Sequence, residues 1–197
     1  MKKIVFASNN SHKLAELRSI LGHRYEVLSL ADINCHDDIP ETADSFEGNA
    51  LLKARWVKDR YGYDCFADDS GLEVYALGGA PGIYSARYSG ATTDVAAANN
   101  AKLLRELSGA DDRSARFRTA IALLTGDAEP VFFNGTVEGH ILEAPRGEGG
   151  FGYDPLFVPR GWDRTFAEAT GEEKNAISHR GRAVAALAEY LDNNFND

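Results

Sequence analysis

A run of four apolar residues, Ile4-Val5-Phe6-Ala7, stops at Ser8-Asn9-Asn10, and a helical period of leucines, Leu14, Leu17 and Leu21, takes over at once. This hand-over constrains the fold of the 197-residue chain more than any other feature. Four apolar residues fall far short of a signal-peptide core or of the ~18 a membrane helix needs. Ended by polar turn formers, they read as a buried strand. A strand running into an amphipathic helix opens an α/β unit, and the pattern recurs. Gly22 stops the leucine helix and Tyr25 to Leu30 predicts a second strand. Phe46, Ala50, Ala54, Val57 and Tyr61 mark one face of a long helix closed by Gly62, with Asp44 and Glu47 spaced as an Asp version of the capping box.

Cys65-Phe66-Ala67 predicts a short strand entering the turn-like Asp68-Asp69-Ser70-Gly71, after which Leu72 to Tyr75 resumes extended alternation. Residues 78–90 predict an ordered irregular loop, and Thr93 or Asp94 can cap a helix to about Leu107. Phe117 to Leu124 and Val131 to Val137 read as neighbouring strands around Gly126-Asp127. A glycine-rich loop at 147–155 precedes a last helix with Val184, Leu187 and Leu191 inward. No linker, repeat or low-complexity tract interrupts residues 1–197, so the expectation is one α/β domain with a mixed sheet. Hydrophobic residues at 44% and charged residues at 26% exclude a disordered chain. The net charge, 21 − 30 = −9, argues against broad capture of nucleic acid or an anionic membrane. Two cysteines, Cys35 and Cys65, imply no disulfide framework, and the expected location is the cytoplasm.

Five constellations carry chemistry. Ser8-Asn9-Asn10-Ser11-His12-Lys13 sits at a helix start, where backbone N–H groups and the dipole favour phosphate; an ordinary Asn or Ser cap with a solvated lysine fits the same letters. Asp68-Asp69-Ser70 ends a strand, where a carboxylate can hold Mg²⁺ or deprotonate water. Alternation along a strand sends only one of the two aspartates into a given cleft, and a solvated Asp-Ser-Gly turn is the bland alternative. Glu41, after Pro40, is a candidate second metal ligand or a loop acid; Lys53, one turn from Asn49, is a phosphate contact or a surface lysine. Phe151-Gly152-Tyr153-Asp154 offers an aromatic face for a base with an acid beside it, or a tight turn with a core aromatic. Lys174, His179 and Arg180 offer cations and donors to phosphate and carbonyl oxygens, or a basic helix–turn–helix junction.

Taken together, SNNSHK (8–13), FADDSGL (66–72), GGAPGIYSARYSG (78–90), GGFGYDP (149–155) and EKNAISHRG (173–181) closely resemble the inosine triphosphate pyrophosphatase family, its bacterial branch above all. The resemblance spans nearly the whole chain, with the motifs in the same order. It implies an elongated mixed sheet with helices forming two lobes around a central nucleotide-binding cleft. It also implies a Mg²⁺-dependent homodimer that cleaves non-standard purine nucleoside triphosphates (dITP, ITP, XTP) to the monophosphate and pyrophosphate. Residue by residue, it makes Asp69 the general base and a metal ligand, Glu41 a metal contact and Asp68 a neighbour or further ligand. Ser8 to Lys13 and Lys53 would hold the triphosphate and Ser70 would touch substrate. Phe151 to Asp154 would hold the base, with Lys174, His179 and Arg180 completing the site. Asn9 stands where the family often has glycine; a positive φ there would suit Asn next best. The alternatives are a Maf-like pyrophosphatase of pyrimidine or modified triphosphates, and a nucleotide- or RNA-binding module without catalysis.

Overall fold

The computed structural model describes residues 1–195. In chain order its elements are β1 (Lys2–Phe6), α1 (Ser11–Leu21), β2 (Tyr25–Leu28), α2 (Phe46–Tyr61), β3 (Cys65–Val74), α3 (Val95–Glu106), β4 (Ser114–Leu124), β5 (Val131–Ile141), β6 (Phe157–Pro159), α4 (Gly171–Ile177) and α5 (His179–Asn194). The strands form one sheet in the order β2-β1-β3-β4-β5-β6. β1 runs parallel to β2 and β3, while β5 and β6 are antiparallel. The sheet is therefore mixed, as the alternating patterns predict. No helix among the described residues is long and apolar enough to cross a membrane.

Contacts divide the chain into two compact units. One holds Met1–Asp69, Thr119–Gly135 and Arg180 onward; the other holds Ser70–Arg118 and Thr136–His179. In the first unit the strand period of two sorts the core onto two faces. Ile4, Phe6 and Phe66 pack with Leu14, Leu17 and Leu21 of α1 and with Val184, Leu187 and Leu191 of α5. Val5, Ala7, Cys65 and Ala67, the alternate residues, pack against Ala50, Ala54 and Val57 of α2. Each large side chain so buried stabilises by roughly 1.5–3 kcal/mol. The second unit closes on Leu72, Val74, Leu103, Leu107, Phe117, Phe157 and Phe166.

The structure corrects three local expectations. β3 is one continuous ten-residue strand, not a short strand followed by a turn, because both aspartates of its Asp-Asp-Ser-Gly run have partners inside the protein and need no solvent. The cap of α2 is Ser45, extended at φ −141°, whose hydroxyl accepts from Gly48 N at 3.0 Å; Asp44 does not cap the helix. Asp94 occupies the N-cap of α3 with φ 47° and makes no side-chain cap bond. β4 and β5 also reach beyond the predicted bounds, to Ser114 and Ile141.

Candidate active site

The alternation that sorts the core also parts the two aspartates. Asp68, in step with Phe66, meets α1 and α5: its Oδ1 lies 3.2 Å from Lys13 Nζ and its Oδ2 accepts from Arg180 Nε at 3.4 Å. Asp69, in step with Ala67, meets α2, where Asn49 Nδ2 donates to its Oδ2 at 3.2 Å. Both carboxyls are buried, at 2% and 6% exposure, which removes the solvated-turn reading. Only Asp68 is in an ion pair; Asp69 has none among the described residues. Burial therefore dominates Asp69 and pushes its carboxyl up to about 6; Lys53 opposes this, Glu41 adds to it, and the Asn49 hydrogen bond and Lys13 oppose it.

Lys53 is not a surface lysine. It is 9% exposed, on the same stripe of α2 as Asn49, and donates to Glu41 Oε1 at 3.1 Å. Glu41 is thus brought beside Asp69 by a loop that α2 holds. The segment from Ser8 is built by local hydrogen bonds. Ser8 Oγ accepts from Asn10 N, Asn10 Oδ1 caps α1 by accepting from Lys13 N, and Asn9 Oδ1 accepts from Ala31 N. Asn9 keeps a negative φ, since the non-glycine residues with positive φ among those described are Asn34 and Asp94. Asn10, Ser11 and His12 are exposed, whereas Lys13 is drawn inward to Asp68. Burial holds the Lys13 ammonium below its usual range, with Asp68 opposing.

In the second unit, Lys174 Nζ sits 2.7 Å from Asp154 Oδ2 and 4.5 Å from the centre of the Phe151 ring. The same Asp154 oxygen accepts from Phe151 N at 3.1 Å. Gly150, at φ +67°, cannot carry a side chain, because a Cβ there would stand 2.3 Å from that oxygen. Tyr153 donates from its hydroxyl to Ser85 O at 2.6 Å, and burial pushes that hydroxyl up. Asn100 Nδ2 donates to Gly152 O at 3.1 Å. FGYD is thus a braced loop carrying a buried ion pair beside an aromatic face. Ser70 is half-buried at the start of this unit, on β3.

His179 and Arg180, adjacent in sequence, have different surroundings. His179 stacks on Phe117 with centroids 4.8 Å apart and planes at 15°. Arg180, 2% exposed, pairs with Asp68 and with Glu16 Oε2. Sequence reasoning missed Glu16, Asn49 and Asn100. An asparagine inside a long helix, where it is a poor helix former, was the available signal for Asn49; Glu16 sits on α1 with no local oddity to mark it.

The acids present fit a hard divalent cation. Mg²⁺ takes one or two protein carboxylates and completes its shell with water and phosphate oxygens. The buried carboxylate of Asp69, with no ion pair among the described residues, and Glu41 nearby supply that. Carboxylates poised for a cation beside lysines already turned inward are the equipment of an α/β enzyme that works on phosphates.

The comparisons place the chain more narrowly. A model of the Ham1 family matches residues 4–190, and the chain belongs to that family. It is 55% identical over 192 residues to a Porphyromonas gingivalis protein named dITP/XTP pyrophosphatase, covering 97% of this chain and 98% of that one. A Flavobacterium johnsoniae protein of the same name is 53% identical, covering 96% and 97%. Among solved structures, a HAM1 protein from Coxiella burnetii superposes with a TM-score of 0.89 at 42% identity, covering 98% of this chain and all of that one.

Proposed function

We propose that this chain hydrolyses the non-standard purine nucleoside triphosphates dITP, ITP and XTP to the monophosphate and pyrophosphate, removing deaminated purines from the nucleotide pool. The observation that carries the reading is Asp69: a buried carboxylate with no ion pair among the described residues, pushed up to about 6, next to a lysine–glutamate pair. Full-length relatives named for this activity support it.

In this reading Lys13 and Lys53 leave Asp68 and Glu41 and turn to phosphate oxygens, helped by the N–H groups and side chains of Ser8 to His12. Asp69 takes a proton from water at its carboxylate as that water attacks the α-phosphorus in line, and the bond to the pyrophosphate oxygen breaks. Asp69 and Glu41, with Asp68 adjacent, would hold Mg²⁺; when bound, the ion offsets charge on the phosphates. Phe151 would stack on the base and Lys174 would meet substrate from its place on Asp154. Ser70 would make a further substrate contact. His179 and Arg180 would donate to the purine 6-oxygen, which adenine replaces with a donor. The reading extends to a homodimer in the cytoplasm, as the sequence resemblance implies. Light scattering checks the first: twice the mass of one chain is expected.

Incubating the purified chain with dITP, XTP, dATP and dGTP, with and without Mg²⁺, and resolving the products tests the proposal. Metal-dependent dIMP or XMP with pyrophosphate is expected, and Asp69→Asn abolishes turnover while nucleotide binding stays measurable. Orthophosphate with a nucleoside diphosphate would mean attack at the γ-phosphorus and overturn it. No turnover of any purine would turn attention to pyrimidine or modified triphosphates, and then to a binding module.

A further inference from the structure

We infer that Asn49 is a positioning residue for the hydrolysis: one end of its side-chain amide sets the carboxylate of Asp69, and the other holds the backbone of the Glu41 segment. This rests on the reading of Asp69 as the base. Nδ2 donates to Asp69 Oδ2 at 3.2 Å, and Oδ1 accepts from Ala43 N at 2.9 Å. Asn49 is fully buried in α2, where a polar side chain without its hydrogen bonds is costly.

The chemistry of the two neighbours fixes which way the amide points. Turned over, its NH₂ would face the Ala43 N–H, donor to donor, and its oxygen would face a carboxylate, acceptor to acceptor. One orientation satisfies both ends and the other satisfies neither. Unlike a lysine, the amide donor also carries no charge that would compete for phosphate. With Oδ2 of Asp69 occupied, Oδ1 is the oxygen left for the reaction. One turn along the same stripe, Lys53 holds Glu41. Asn49 therefore ties the orientation of the base to the placement of the loop that brings the second acid.

Two substitutions separate the ends. Asn49→Asp keeps an acceptor for Ala43 N and replaces the donor facing Asp69 with an oxygen. Asn49→Leu keeps the bulk and loses both bonds. With dITP and Mg²⁺, Asn49→Asp is expected to lower kcat by about 10–100-fold, the range seen when a supporting partner of a site ligand is removed, with KM changed by less than about threefold. Asn49→Leu is expected to lower kcat at least as far, and if it fails to fold, Asn49→Asp alone decides. Wild-type kcat in Asn49→Asp, or a loss carried wholly by KM, would overturn the inference. A wild-type chain that does not cleave dITP would instead bring down the function on which it rests.

Discussion

At the scale of the residue, the two aspartates differ by their neighbours and not by their chemistry. Asp68 is an anion between two cations, whereas Asp69 is an anion whose charge the protein tolerates at a cost. Its carboxyl is raised from an ordinary 3.8 to about 6. The stability it contributes is thus fully present below about 4 and lost as pH rises through about 6. In the metal-free chain, Asp69→Asn is expected to match the wild type below pH 4 and to exceed it by up to about 3 kcal/mol well above pH 6. Thermal melts in chelator at several pH values check this. Adding Mg²⁺ above pH 6 is expected to raise the wild-type melting temperature and leave that of Asp69→Asn nearly unchanged. The alternation that separates Asp68 from Asp69 was legible in the letters, since strand periodicity needs only sequence order. The partners Asn49 and Glu16 were not, because which helix residue faces which carboxylate depends on how α1, α2 and α5 pack on the strands.

At the scale of the element, the order of helices and strands was readable from hydrophobic period and stop residues; most of what was missed lies at ends and joints. Gly62 ends α2 at φ 75°, as its position suggested. At the other end, Asp44 and Ser45 are both good caps by type, and only the extended backbone at Ser45 and its bond to Gly48 N decide between them. Ser45→Ala is therefore expected to cost about 1 kcal/mol, and Asp44→Ala much less, as urea unfolding of the two variants would show. A capping choice matters here beyond stability, because the first turns of α2 carry Asn49 and Lys53. Asp-Asp-Ser-Gly is turn-rich in composition and leaves a turn open between Ala67 and Leu72; burial and pairing override that local preference in one continuous β3.

At the scale of the whole molecule, the residues proposed to meet phosphate and metal lie in one compact unit, and most of those proposed to meet the base lie in the other. Lys13, Glu41, Lys53, Asp68 and Asp69 belong to the first, and Phe151, Asp154, Lys174 and His179 to the second; Arg180, proposed as a donor to the base, belongs to the first. Adenine replaces the 6-oxygen acceptor with a donor, whereas guanine keeps it and differs at position 2. Rejection of dATP is accordingly expected to exceed that of dGTP, by up to ~10⁴–10⁵ against dITP for a hydrogen-bonding site. Competition kinetics on mixed triphosphates measure it, and equal rejection would count against 6-oxygen readout. The family-level motifs made the function legible in the sequence, while the braces behind them, such as Tyr153 on Ser85 and Asn100 on Gly152, join residues far apart in the chain and carry no local mark.

On the proposed reading, in which Lys13 and Lys53 turn to phosphate, the pairs Lys13–Asp68 and Lys53–Glu41 set a built-in toll on anions. Each lysine arrives already occupied by an acid on a tether, a rival that never diffuses away. An anion with one or two charges and no base gains little by displacing it. A triphosphate that also brings its own cation can displace both acids at once and give them something new to hold. On that reading, selectivity for long phosphate chains over orthophosphate would come without a gate, from the order in which internal charges change partners.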